Sequence, residues 1–147
     1  MGATEATGRE GGEGSSVRSV SLPVELEALA AQVSAQGPQA LLLTVNELDR
    51  PHAVAVEVTV EAGRLRAGAG SRTAANIARR PGVSLLWPSL VPGAYSLIVD
   101  GDAAIDGTEV VVEPHRAVRH RTPIGSSGAD PDAPTCITVL QRVEGAP

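Results

Sequence analysis

The stretch "RLRAGAGSRTAANIARRPGVSLLWP", residues 64–88, decides how this chain folds. It reads as a strand, a glycine-broken turn carrying Ser71, Arg72 and Thr73, a short helix near 73–80, and a proline-opened strand at 82–87. A helix N-terminus presents unpaired N–H groups and a partial positive charge, so it attracts anions. Gly68 and Gly70 let the backbone approach a ligand, Arg72 offers a fork for phosphate oxygens, and Ser71 and Thr73 add hydroxyl donors. The same residues also read as a simple cap, with Ser71 or Thr73 closing a short helix and Arg72 in solvent. The spacing is not GxGxxG and no βαβ unit surrounds it, which excludes a Rossmann site.

Outward from this turn the pattern is mainly β. "SLPVELEALAAQVSAQ" (21–36) predicts a helix capped by Ser21, with Leu22, Leu26, Leu29, Ala30 and Val33 on one face and Gly37-Pro38 ending it. "ALLLTVN" (40–46) reads as a strand covered on both faces, "ELDRP" (47–51) as a turn, and the Val-rich "HAVAVEVTVE" (52–61) as a second strand. "AG" makes a hairpin into residues 64–69. Beyond the 82–87 strand follow "AYSLIVDGDAAID" (94–106), a turn at Gly107, "TEVVV" (108–112), and a short helix "PHRAVRHR" opened by Pro114. A loop over 122–134 and a last strand, "TCITVLQRV" (135–143), complete the chain. Six or seven hairpin-linked strands with few helices indicate a small antiparallel β-barrel. Residues 1–16, rich in Gly, Glu and Ser, read as a disordered tail, leaving 17–147 as one domain.

Composition narrows the function. The 147 residues carry a formal charge of -5, with one Trp, one Tyr and no Phe, which argues against nucleic acid as a partner. All 12 basic residues are Arg. Without lysine there is no Schiff base and no P-loop cation. No apolar run approaches the twenty residues of a membrane span, no export signal is visible, and the lone Cys136 fits a reducing compartment, so a cytoplasmic location is expected. No Ser-His-Asp arrangement or carboxylate pair stands out, so no catalytic residue is assigned.

The order strand, hairpin, strand, "GSRTAANIARRPGVSLLWP", strand resembles the FMN-binding split-barrel family typified by pyridoxamine 5'-phosphate oxidase. Gly70, Ser71 and Arg72 match that family's Gly-Ser-Arg-Lys turn, and Pro81, Val83, Ser84, Leu85 and Leu86 match the strand that follows. The resemblance implies a homodimer binding FMN between subunits and acting on a small molecule with a nicotinamide or deazaflavin reductant. It puts Ser71, Arg72 and Thr73 at the FMN phosphate, with Thr73 where the family often has Lys. His52, Ala53, Val54 and Ala55 would run beside the isoalloxazine edge, Arg66 and Ala67 under the ribityl chain, and Ser96 would reach the flavin from the partner subunit. Pro51 and Val56 stand where the oxidase itself has basic residues, and nothing matches its substrate-phosphate residues, so pyridoxamine-phosphate oxidation itself is not implied. Two alternatives keep the fold. One is a deazaflavin-dependent reductase, with Arg66, Arg79 and Arg80 serving the longer acidic tail. The other is a non-enzymatic flavin- or haem-binding module.

His52, His115, His120 and Cys136 fall on separate elements without metal-ligand spacing, so no metal site is assigned. The basic run 114–121 reads as a solvated face or as a rim steering an anionic reductant. Trp87 reads as core or interface, or as a flank to the flavin ring.

Overall fold

The computed structural model of the protein describes residues 22–121 and 136–141, with side chains from residue 28 onward. The tail expected over 1–16, the cap at Ser21 and the loop over 122–134 lie outside the described residues.

Among the described residues two helices and eight strands follow one another: α1 (Leu22–Gln36), β1 (Gln39–Val45), β2 (Pro51–Glu57), β3 (Thr59–Glu61), β4 (Arg64–Gly68), α2 (Ser71–Arg79), β5 (Gly82–Trp87), β6 (Ser96–Asp106), β7 (Glu109–His120) and β8 (Cys136–Gln141). All pairings are antiparallel, in the order β2-β1-β5-β6-β7-β4-β3, with β8 added beside β7. The two ends of that order, β2 and β3, are consecutive in the chain and separated by Val58 alone. The Val-rich segment expected as one strand therefore bends. It pairs with β1 up to Glu57 and with β4 from Thr59, and so joins the sheet's two edges into a barrel. Val58 is buried at the bend and its N–H donates to Pro38 O at 2.8 Å.

The core fills the barrel. Leu42, Val56, Leu65, Ala67, Val83, Leu85, Leu97, Val99, Val110, Val112 and Ala117 point inward at period two from six strands, and Leu29 and Val33 of α1 and Ile77 of α2 join the same cluster. Trp87 is 1% exposed, with its indole N–H donating to Gly37 O at 2.9 Å, so it is a core residue. Gly37, at φ 95°, ends α1. Ala62 and Gly63, at φ 53° and 78°, make the tight β3–β4 hairpin.

One expectation is overturned. "PHRAVRHR" is not a helix: β7 runs unbroken from Glu109 to His120, paired with β6 along its length. The long β6 offers backbone partners that a solvated helix would lack, so tertiary pairing overrides local preference. Pro114 is tolerated because the register shifts beside it, with Gly101 opposite Pro114, Asp100 opposite Arg116, and His115 left as the extra residue of a bulge. Gly101 is required there, since a Cβ would overlap the carbonyl oxygen of Glu113 and lie 2.9 Å from Val112 Cγ1. Among the described residues, no helix is long and apolar enough to cross a membrane.

Candidate functional site

α2 begins directly after β4, and its N-terminus is open. Gly70 is the N-cap in an extended conformation, and no side chain closes the cap. The first intrahelical bond, Ala74 N to Gly70 O at 2.9 Å, leaves the N–H groups of Ser71, Arg72 and Thr73 without helical partners. No acidic residue occupies the first turn. Ser71 and Arg72 are exposed, and Arg72 has no hydrogen bond or ion pair among the described residues. A Cβ added at Gly68 or Gly70 would meet nothing within 4 Å, so the space over the turn is open. These donors suit a phosphate or carboxylate terminus. Thr73 differs from its two neighbours: it is 2% exposed and turned into the protein.

The helix is fixed from beneath. Asn76, 1% exposed, donates from Nδ2 to Thr44 Oγ1 at 2.9 Å, and Thr44 Oγ1 lies 3.5 Å from His52 Nδ1. This chain of side chains ties α2 to β1 and then to β2, whose residues 52–55 belong to the expected cofactor wall. At the far end of α2, Arg80 pairs with Asp49 and donates to Asn46 O at 3.3 Å, and Arg79 lies 4.0 Å from Glu47. Asn46 Oδ1 in turn accepts from Leu48 N at 2.8 Å and Arg50 N at 3.0 Å, holding the β1–β2 turn.

Arg66 and Ala67 point to opposite faces of β4. Ala67 is buried in the barrel. Arg66 lies outside, 2.8 Å from Glu109, 3.4 Å from Asp106 and 3.5 Å from Glu61. The hydrogen bond that Arg66 Nη1 donates to Glu109 is the main cause of its raised pKa, with Glu61 and Asp106 adding to it. The two arms of β2 also divide: Ala53 and Ala55 face outward, while His52 and Val54 are half-buried on the barrel side.

Ser96 is not brought to this turn within one chain. It opens β6, whereas the α2 end of the barrel meets that strand near Ala103, whose N–H donates to Pro81 O at 2.8 Å. Ser96 instead lines a pocket of about 290 Å³ with the 89–94 loop, His120 and Arg121.

A second groove, of about 310 Å³, lies on the outer face of β1, β5 and β6. Ser84, Asp100 and His115 line it: Ser84 Oγ donates to Asp100 Oδ1 at 2.6 Å, and beyond the groove Arg116 Nη1 donates to Asp100 Oδ2 at 3.0 Å and His115 Nε2 lies 3.3 Å from Asp102. Sequence reading missed this cluster and the Asn76–Thr44 bond, because both join residues distant in the chain. The alternation of Ser84 with Val83 and Leu85 is the one local signal that Ser84 faces away from the core. Among the described residues no group of three or more His, Cys, Asp or Glu could hold a metal.

No known family's sequence model matches the chain. An uncharacterized protein of Mycobacterium bovis, Mb0449c, is 38% identical, over 76% of this chain and 86% of the relative. Among solved structures, a candidate pyridoxamine 5'-phosphate oxidase from Listeria innocua superposes with a TM-score of 0.53 at 20% identity, over 67% of this chain and 99% of that one. A heme binding protein from Mycobacterium smegmatis gives a TM-score of 0.54 at 17% identity, over 84% of this chain and 63% of that one.

Proposed function

We propose a cofactor-binding role from one premise: the chain belongs to one family with the mycobacterial protein Mb0449c and folds as a pyridoxamine 5'-phosphate oxidase-like split barrel. The reading is a flavin-dependent oxidoreductase that holds FMN by its phosphate at the N-terminus of α2 and acts on a small molecule. The observation that carries it is the open first turn of α2, with Ser71, Arg72 and free N–H groups around space that Gly68 and Gly70 leave empty.

The residues fit the group. Arg72 would pair with the phosphate, Ser71 and the helix N–H groups would supply further donors, and buried Thr73 would contribute its backbone rather than its hydroxyl. A bound flavin supplies the hydride chemistry, and the protein's part is to orient it and keep water from one face. FMN is favoured over a deazaflavin with a longer acidic tail, because Arg66, Arg79 and Arg80 are already engaged by carboxylates.

A homodimer belongs to the same reading. The register puts Leu41, Leu43, Ala53, Ala55, Leu86 and Ile98 on one outer face of β2, β1, β5 and β6, none of them buried. Such an apolar face suits an interface with a second copy. The absorption spectrum of the purified protein tests the reading: a flavin spectrum that Arg72→Ala abolishes supports it. A haem spectrum, as the fold neighbour from Mycobacterium smegmatis leads one to consider, or full FMN retention by the variant would replace it.

A further inference from the structure

Thr44 follows Ala40 and Leu42 on the inward row of β1, where the barrel otherwise takes aliphatic side chains, and it is bonded to a second buried polar residue, Asn76. Stability alone does not call for this pair, because two apolar side chains of similar size would fill the space with no group to satisfy. We infer that the pair serves His52: it holds the ring as the Nε2–H tautomer, which makes His52 a hydrogen-bond donor of the cofactor site.

Each proton in the chain has one destination. Asn76 Nδ2 donates to Thr44 Oγ1 at 2.9 Å, so the amide takes one lone pair of the hydroxyl. The hydroxyl has a single proton of its own, and its other hydrogen-bonding contact among the described residues is His52 Nδ1 at 3.5 Å. A proton given to Nδ1 makes that nitrogen an acceptor, and in a neutral imidazole the other nitrogen then carries the N–H. Thr44 and Asn76 are almost wholly buried, so water does not compete for these groups.

Nε2 sits across the ring from Nδ1 and therefore faces away from Thr44. It has no hydrogen bond or ion pair among the described residues. Of the described buried side-chain nitrogens and oxygens only Arg119 Nε lacks a partner, so Nε2 of the half-buried His52 reaches the surface. The register fixes its place. His52 is paired with Thr44 across β2 and β1, and Asn76, bonded to Thr44, lies five residues along α2 from Ser71, a rise of about 7.5 Å. The N–H donor and the open turn thus share one end of the barrel. An elongated ligand, anionic at one end and carrying a carbonyl oxygen or unprotonated ring nitrogen further along, suits both. That this ligand is a flavin rests on the cofactor reading; the tautomer does not.

The full chain is tested in two parts. Nitrogen-15 NMR of the ligand-free protein at pH about 8.5, where an ordinary histidine is neutral, reads which ring nitrogen carries the proton. His52→Gln identifies the His52 signals among those of the three histidines. A single Nε2–H form is expected. It should give way to a mixture of tautomers in Thr44→Val, and equally in the double variant Asn76→Leu with Thr44→Val, while Thr44→Ser keeps it. A proton on Nδ1, or a pattern that Thr44→Val leaves unchanged, overturns the relay. FMN is then titrated by flavin fluorescence. His52→Phe is expected to weaken binding about 3–10-fold and Thr44→Val about 3-fold. His52→Gln, whose amide N–H replaces Nε2–H, and Thr44→Ser should each stay within about 2-fold of the native chain. Binding that His52→Phe leaves unchanged, or that His52→Gln weakens as much as His52→Phe, overturns the donor role alone. No binding of FMN by the native chain overturns the cofactor reading and the donor role with it. Should His52→Phe fail to fold, Thr44→Val against Thr44→Ser decides.

Discussion

Asn76 of α2 donates its side-chain amide to the hydroxyl of Thr44 on β1 at 2.9 Å, and both residues are almost wholly buried. This one bond sets where the helix N-terminus points, because it fixes the middle of a nine-residue helix to the barrel wall. Asn76→Ala is expected to cost about 1–3 kcal/mol by removing the buried amide donor to Thr44, which keeps only its 3.5 Å contact with His52 Nδ1, measured by urea unfolding. The double variant Asn76→Leu with Thr44→Val should recover much of that loss, since replacing both partners removes the hydroxyl that has lost its donor. Equal instability of single and double variants would show that the bond is not what holds the helix.

Arg72 is the exposed cation at the open turn, so Arg72→Ala should leave the unfolding midpoint nearly unchanged while weakening FMN binding. A lost charged hydrogen bond of about 1.5–3 kcal/mol corresponds to roughly 10–150-fold in Kd, read by flavin fluorescence quenching.

Arg66 provides the contrast. Its guanidinium is committed to Glu109, Asp106 and Glu61, which raise its pKa further above the arginine value. A group whose folded pKa is raised gives stability that persists until the pH climbs through that value, so this network should not titrate across the neutral range. Arg66→Gln should reduce FMN affinity less than Arg72→Ala does, at every pH from 6 to about 9.

Gly101→Ala should destabilise the barrel by about 1–3 kcal/mol, because the added methyl overlaps the backbone of Glu113 across the bulge. The loss should appear as a lower thermal midpoint. An unchanged midpoint would show that β7 can shift away at no cost.

Leu43→Arg puts a charge in the middle of the outer apolar face, beside Ala53 and Ser84 in the register. The native chain is expected to elute as a dimer and the variant as a monomer, measured by light scattering. Dimeric elution of both would place the interface elsewhere.

The strands and the turn at 68–72 were legible in the sequence because their signals are local: period-two alternation in "GVSLLW", and glycines before Ser71. The 82–87 strand matches the structure residue for residue. What failed was non-local. Residues 114–120 carry a helix-like proline start, yet the eleven residues of β6 hold them extended. The bend at Val58 was equally hidden, since nothing in "VEVTV" announces that its halves belong to different partners. Arg66 and Thr73 sit in the expected part of the chain, but their directions follow from Glu109 and from the packing under α2, both distant in sequence.

The bend at Val58 also bears on how the chain reaches its native state. β1–β2 and β3–β4 are each short-range hairpins that can zip early, and Val58 links them before any distant strand has arrived. The seams β1 to β5 and β4 to β7 join segments separated by about forty residues and are the slow, entropically costly steps. One valine thus couples two quickly formed ribbons, and a polar replacement there would leave both able to form while delaying their assembly.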